Sequence, residues 1–556
     1  MFDLPDKQYA VQLVGPDELV LNRSKEVPVP GPWQILCRVE AIGLCFSDLK
    51  LLKHFTGHPR KSQVTAGIDS DILSEIPSYV PGGKATVPGH EAVVTIAAAG
   101  SKVKDYKAGQ RYLVQTDYRW LSTKNSNAAF GYNFEGALQE YVLMDLRVII
   151  SPEGESMLIP VPDALGNSAV ALVEPWACVE DAYATSERKQ IKQGGRTLIV
   201  ADEQIDENKI YELFDKHGRP GKVTWICDYP APAKLSLPVD AAGSAGEVPD
   251  FQYDDVFYFG GNCQVIEKLF YKLCRHGHLN IALCGRRLDR YVDIPLGLIH
   301  YSGIRVGGTP GDNPARVFDY IPDCSEIRES DTINVIGAGG PMGMMHVIRD
   351  ISQGVKNVSV FAGDISNERL ANLSRIAGPL SEQRQVHYAT YNPKVDKSSN
   401  LFSYTVVMVP SVALAASSVA NGGEGAIINI FAGISKESTG SIDLNRYIEK
   451  QMYFTGTSGS TVKDMQTVLS RVEKGLFDTN VSVSAVSGLK GAVEGIRAVE
   501  NHSIAGKIIV YPACKGMGLI RLDELKDKMP SVAEELDNNL WTKRAEKKLM
   551  EYCSKI

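Results

Sequence analysis

The central stretch of this chain is written twice, and that repeat constrains its fold more than any other feature. From about residue 195, apolar strand-like runs alternate with helical stretches, the pattern of a parallel sheet with crossover helices. "TLIVADEQ" from Thr197 is answered by "INVIGAGG" from Ile333, "VTWICDY" by "VSVFAGD", and "YDDVFYFGG" by "FSYTVVMVP". "GHLNIALCG", leading to a Gly308-Thr309-Pro310-Gly311 turn, is answered by "GEGAIINIFAG", leading to Gly456-Thr457-Ser458-Gly459. Matches in one order make chance a poor explanation. At ~150 residues per domain, 556 residues leave room for more than these two units.

We read two Rossmann-type units in tandem, at about 190–325 and 326–505. Only the second carries a phosphate cradle. Gly337, Gly339, Gly340 and Gly343 follow a strand and open an apolar helix. Glycines there let the backbone turn tightly and approach a pyrophosphate, whose charge faces the helix N-terminus. The spacing G-x-G-x-x-x-G is one residue longer than the strict fingerprint. Asp364 ends the next strand, about 20 residues on, where a carboxylate accepts ribose hydroxyls and repels the extra phosphate of NADP, so NAD is expected. In the first unit Asp202-Glu203-Gln204 stand where the glycines should be. Carboxylates and bulk there predict that this unit does not bind NAD in the usual way. Its default role is structural, as a duplicated domain that packs or mediates oligomerisation. Alternatively it helps wall the substrate cleft through Gly308–Gly311.

Up to about residue 150 the chain shows short β-like runs separated by Gly and Pro, which suggests a barrel or sandwich-like β domain. Three motifs there and just beyond carry chemistry. "GLCFSDL" holds Cys45, Ser47 and Asp48; "PGHEAVV" holds His90 and Glu91; "VEPWACV" holds Glu174 and Cys178. Singly, each has a dull explanation in packing or surface polarity. Together they offer thiolate, imidazole and carboxylate, a suitable shell for a catalytic zinc with one open position. Asp48 could orient His90 from behind.

In this order, G-x-C-x-S-D, then G-H-E, then E-P, then the glycine cradle, the motifs resemble those of the zinc-dependent medium-chain dehydrogenase/reductase family, especially its polyol and sugar-phosphate branch. "GALQEYVLM", "FTGTSGST" and "AGKIIVYP" also resemble pieces of that family, and the resemblance covers 1 to about 185 and 326 to about 512. It implies a GroES-like catalytic β domain, making the fold α/β plus β with two tandem doubly wound parallel sheets. The implied domains are 1–189, completed by 506–556; a degenerate unit at 190–325; an NAD-binding unit at 326–505; and a helical extension at 515–556. It implies Cys45, His90 and Glu174 as zinc ligands, Glu91 as an alternate or nearby ligand, and Ser47 as a proton relay. Cys178 is given a packing role. The implied cofactor contacts add Met342, Arg369, Thr457 and Ser458 to the glycines and Asp364.

The chain departs from the family in three ways. The stretch between Cys45 and His90 is long, and forms a lid or a pocket wall. No cysteines occupy the region of the structural-zinc lobe, so one catalytic zinc and no structural one is expected. The extra unit separates the catalytic helix from the cradle. The implied activity is NAD-linked oxidation of a secondary alcohol: a polyol, sugar or sugar phosphate. Arg60 and Lys61 are suggestive phosphate contacts. The alternatives are a threonine-type amino-alcohol dehydrogenase, a lyase using transient oxidation, or, in another class, an NAD-sensing scaffold. A net charge of −7 argues against nucleic acid. The run from Tyr404 is broken by Pro410 and too short for a bilayer. Ten scattered cysteines suit a reducing compartment without a disulfide framework. A cytoplasmic homo-oligomer, dimer or tetramer, is the expectation.

Overall fold

The computed structural model describes residues 4–396 and 400–554. The chain divides into two compact units, one formed by 1–178 with 459–556 and the other by 179–458.

The first unit is built on a mixed sheet. The strand Gln34–Gly43 lies at its middle, antiparallel to Glu91–Ala99 on one side and to Lys507–Val510 on the other, while Tyr141–Asp145 also pairs with it. Beyond these lie Arg111–Val114 and Leu158–Pro160 at one end, and Val483–Ser487 and Ile520–Arg521 at the other. Residues 459–505, expected within the second nucleotide unit, thus belong here. Val483–Ser487 runs parallel to Lys507–Val510 and extends the catalytic sheet. Its alternating residues Val483, Ala485 and Ser487 are buried, so the strand needs a covered sheet rather than an edge.

The C-terminal segment is more than a solvated extension. The helix Lys543–Cys553 ends in a disulfide from Cys553 to Cys514, where no pairing was expected from the cysteine spacing. Buried Glu546 accepts the backbone N–H groups of Asn167 and Ser168, at 2.6 and 2.7 Å, so it caps the helix Asn167–Ala171. Tyr511 donates to the same carboxylate at 3.0 Å.

The second unit holds two six-stranded parallel sheets. In each, counting strands along the chain, the spatial order is 3-2-1-4-5-6. The first begins at Arg196–Ala201 and ends at Arg305–Thr309; the second runs from Thr332–Ile336 to Tyr453–Thr455. Strand alternation sorts the apolar residues onto two faces. Leu198, Val200, Val256 and Tyr258 enter one core, and Ile199, Phe257 and Phe259 enter the other with Ile210, Leu213 and Phe214 of a covering helix. The fold is therefore α/β plus β: a domain built on a mixed sheet, and two doubly wound parallel sheets of the Rossmann type. No helix among the described residues is long and apolar enough to cross a membrane.

Candidate functional site

Strand register builds the metal-capable group. Gly43 pairs with Glu91 in the antiparallel ladder, and Ile509 pairs with Gly43 on the other side. Cys45, two residues past the first strand, therefore meets His90 and Glu91 at the start of the second. One ligand atom from each of Cys45, His90 and Glu91 lies within 4.8 Å of the others. Gly43 is glycine for a steric reason: a Cβ there would stand 2.0 Å from Glu91 Oε2.

Cys45 is also the N-cap of the helix Phe46–His54. Asp48, three residues on, accepts the Cys45 N–H through Oδ2 at 3.1 Å, and its Oδ1 lies 3.1 Å from His90 Nδ1. One buried carboxylate thus sets the helix start and the imidazole orientation, leaving Nε2 for a metal. Ser47 Oγ is 3.1 Å from Cys45 Sγ.

The fully buried Glu91 is paired with Lys507, whose Nζ donates to Oε1 at 2.5 Å and to the Leu44 carbonyl at 2.9 Å. Burial opposes charge on Lys507, but Glu91 and the nearby Cys45 hold its ammonium above the ordinary lysine value. Glu91 Oε2 is buried without a hydrogen-bond partner. An orphaned carboxylate oxygen beside a thiol and an imidazole fits a zinc ion in its donor chemistry.

Glu174 stands differently from its expected place. The structure leaves it outside the three-residue group. It lies in the first turn of the helix Val173–Ala184, where Cys178 Sγ points to its Oε1 at 3.8 Å. Burial raises its pKa to about 7, against the pull of His90 and with the push of Glu91. It is a carboxylate beside the group, and Glu91 takes the position closest to Cys45 and His90. Lys507 had not been singled out from the sequence. Its signal is a lysine opening the apolar strand "KIIV", where a buried charge needs a partner.

The long stretch between Cys45 and His90 supplies two basic residues with different fates. Lys61 is fully buried, and its Nζ is spent on the carbonyls of Val80 and Lys84; burial lowers its pKa to about 8. Arg60 pairs with Asp117 at 2.8 Å and lies 5.6 Å from the ring centre of Tyr132. That ring is 5.7 Å from His90 and 5.0 Å from His58, whose pKa burial and Arg60 push down to about 3. A quarter of the Arg60 side chain remains accessible. The guanidinium is one aromatic ring away from the metal-capable group.

In the second unit the glycine turn has the geometry of a cradle. Gly337 adopts φ +86°, a left-handed conformation, and its N–H and that of Ala338 donate to the Gly363 carbonyl. Gly340 caps the helix Pro341–Ser352, and Met342 lies half-buried in its first turn. A Cβ on Gly343 would stand 2.3 Å from the Gly337 carbonyl oxygen, so only glycine lets helix and turn approach this closely. Asp364 Oδ2 accepts the Gly339 N–H at 3.0 Å and Oδ1 accepts that of Ser366 at 2.9 Å, fixing the carboxylate beside the turn. A Cβ on Gly339 would strike Arg369 Cβ at 2.5 Å. Thr457 and Ser458 follow the sixth strand, three strand positions from the turn, or roughly 14 Å at the usual spacing. Thr457 Oγ1 is buried without a hydrogen-bond partner. The cradle, the fixed carboxylate and this distant orphan fit a dinucleotide laid across strand ends.

Residues 31–153 match the alcohol dehydrogenase GroES-like domain family. Over that segment the chain is similar to the zinc-type alcohol dehydrogenases. It is 26% identical over 191 residues to YphC, an uncharacterized zinc-type alcohol dehydrogenase-like protein of Escherichia coli K12, covering 32% of this chain and 46% of that protein. It is 28% identical over 189 residues to the L-threonine 3-dehydrogenase of Stenotrophomonas maltophilia, covering 32% of this chain and 47% of that enzyme. The chain thus spans about half the length of the curated relatives it matches. Among solved structures it resembles the 2R,3R-butanediol dehydrogenase of Bacillus subtilis, with a TM-score of 0.52 and 14% identity over 91% of this chain and 100% of that one. At that identity the likeness concerns the fold.

Proposed function

We propose that this chain is a zinc-dependent oxidoreductase that transfers a hydride between a secondary alcohol and NAD. The observation that carries the reading is the close-set group of half-buried Cys45 with buried His90 and Glu91, backed by Asp48. When bound, zinc polarises the alcohol oxygen and lowers its pKa, and NAD accepts the hydride. The chain's own residues do the rest. Cys45 and His90 supply ligand atoms, with Glu91 or Glu174 as the carboxylate. Asp48 holds the His90 tautomer. Lys507 offsets the charge of Glu91. Ser47, beside Cys45, takes the substrate proton toward solvent. Gly337, Gly339, Gly340 and Gly343 seat the pyrophosphate, and Asp364 favours NAD over NADP.

Within this class we favour a polyol, sugar or sugar-phosphate substrate, with Arg60 as the contact for an anionic group. Planar guanidinium donors suit a phosphate or carboxylate. A second reading, an amino-alcohol substrate of the threonine type, draws on the L-threonine 3-dehydrogenase relatives, and its carboxylate would also suit Arg60. The test is NADH formation from neutral polyols, sugar phosphates and amino alcohols, with and without a chelator. Turnover should vanish on zinc removal and return on zinc addition. Arg60→Gln should lower kcat/KM for the anionic substrate roughly 10- to 100-fold and leave neutral alcohols nearly unchanged. Full turnover by the metal-free protein would refute the metal role. An equal loss for both substrate types would refute the role of Arg60.

A further inference from the structure

The first parallel sheet and its helices have no part in the proposed chemistry, yet they occupy more than a hundred residues. Two independent observations say what they do. The first concerns their own cradle. Asp202 stands at the end of the opening strand, where the second copy begins its glycine turn. Its carboxylate accepts the Tyr258 hydroxyl at 2.9 and 2.8 Å and the Gly261 N–H at 3.2 Å, and it pairs with Arg286 at 3.2 Å. Arg286 also pairs with Glu203. The carboxylate is packed so closely on Gly260 that a Cβ there would stand 2.1 Å from Oδ2. The donors that could face a phosphate are spent on the chain's own anion.

The second observation is a reciprocity. A constant offset of 148 residues carries Gly308 to Gly456 and Gly311 to Gly459, and the short strand Val292–Ile294 to Gly440–Ile442. Those two short strands pair antiparallel, with Val292 opposite Ile442, Asp293 opposite Ser441 and Ile294 opposite Gly440. Asp293 thus faces its own counterpart, and each neighbour faces the counterpart of the other. The same exchange recurs around this point. A Cβ on Gly308 would touch Ile448 at 2.7 Å, and one on Gly456, its counterpart, would touch His300, the counterpart of Ile448, at 3.1 Å. Nearby, Gly297 packs on the Ser435 carbonyl, and its counterpart Asn445 exchanges two hydrogen bonds, each at 3.0 Å, with Leu288, one residue beyond the counterpart of Ser435. Contacts of the form i to j and j to i mark an isologous, two-fold interface. The last strands of the two sheets, Arg305–Thr309 and Tyr453–Thr455, meet there, with Tyr447 donating to the Val306 carbonyl at 2.9 Å. One continuous apolar core includes Ile299, Val306, Ile430, Tyr447 and Phe454.

We infer that the first parallel sheet with its helices is a ligand-free counterpart of the second and serves as its built-in partner, so that one chain carries a closed two-fold pair of nucleotide-binding folds. The exposed sheet edge that a lone unit would leave for a second copy is covered from within. The homo-oligomer expected from the sequence is not needed on this face. Only the stoichiometry below rests on the proposed NAD binding; the pairing does not.

The test uses the full chain with Asp293→Cys and Ser441→Cys, two exposed, directly opposed positions, beside the wild type and each single variant. Mild oxidation should join the two within one chain at every protein concentration, giving a species with the mass of one chain. A two-chain product, or no new crosslink beyond the controls, overturns the pairing. NADH titration of the wild type should saturate at one equivalent per chain. Two equivalents overturn the filled cradle. No binding at all, with the crosslink formed, sinks the proposed function and leaves the pairing supported.

Discussion

Lys507→Met removes the ammonium from a side chain that is almost fully buried, with little change in shape. Glu91, fully buried, then keeps its charge with no counter-ion at 2.5 Å. Breaking one side of a buried ion pair costs about 3–5 kcal/mol, because the remaining ion stays desolvated. Glu91→Gln alone should cost a similar amount through the stranded lysine. The double variant should cost much less than the sum, since neither charge remains. Zinc changes the arithmetic. If Glu91 belongs to the metal-capable group, a bound cation compensates its charge, and the Lys507→Met penalty shrinks in the zinc-loaded protein. Zinc itself adds about 4 kcal/mol at a thousand times its Kd. The assay is denaturant unfolding followed by tryptophan fluorescence, chelated and zinc-loaded. Four of the five tryptophans, Trp33, Trp120, Trp176 and Trp541, lie in the unit that holds the site, so the signal reports mainly on it. A Lys507→Met penalty below about 1 kcal/mol, the range of an exposed pair, refutes the buried-pair argument. A penalty unchanged by zinc refutes the place of Glu91 beside the metal.

Three further outcomes follow from the geometry. Gly343→Val would drive a side chain into the Gly337 carbonyl, so NADH affinity should fall at least roughly 100-fold with zinc content unchanged, as equilibrium dialysis of both ligands would show. Asp350 accepts the Tyr183 hydroxyl at 3.1 Å, and burial raises its pKa to about 8. A raised folded-state pKa contributes stability that is complete below the unfolded value near 4 and is lost as pH climbs to about 8. Asp350→Asn should therefore gain on the wild type between pH 4 and 8 and hold that gain above; a constant difference in melting temperature across this window would contradict it. Cys553→Ser opens the loop closed to Cys514, a separation of 39 residues, and should cost up to about 4 kcal/mol in oxidising buffer. Reductant should destabilise the wild type to the same level and leave the variant unmoved.

What was legible in the sequence was what local chemistry enforces. The glycine turn at Gly337–Gly343 follows from the steric demands of a cradle, and Cys45-Phe46-Ser47-Asp48 with His90-Glu91 announces donors at strand ends. The repeat was legible because both copies keep the same strand order and the same closing Gly-Thr turn. What was hidden depended on register between distant strands. Which carboxylate, Glu91 or Glu174, approaches Cys45 is decided by Gly43 lying opposite Glu91, a pairing across 48 residues that no spacing rule reveals. Lys507 reaches Glu91 from a strand more than 400 residues away. The switch of Val483–Ser487 into the first unit's sheet was hidden by its likeness to any short buried strand. The partnership of Cys514 with Cys553 requires the terminal helix to dock, which spacing alone does not encode.

The most direct measurement of the central claim follows the hydride itself. A secondary alcohol that the zinc-loaded protein turns over is supplied with deuterium on its carbinol carbon, and the NADH formed is analysed by mass spectrometry and NMR. The account predicts that the label appears on the nicotinamide ring of every NADH, none in solvent, and that Cys45→Ser abolishes the transfer together with the bound zinc. Label released to water, or undiminished transfer by the zinc-free Cys45→Ser protein, would contradict it.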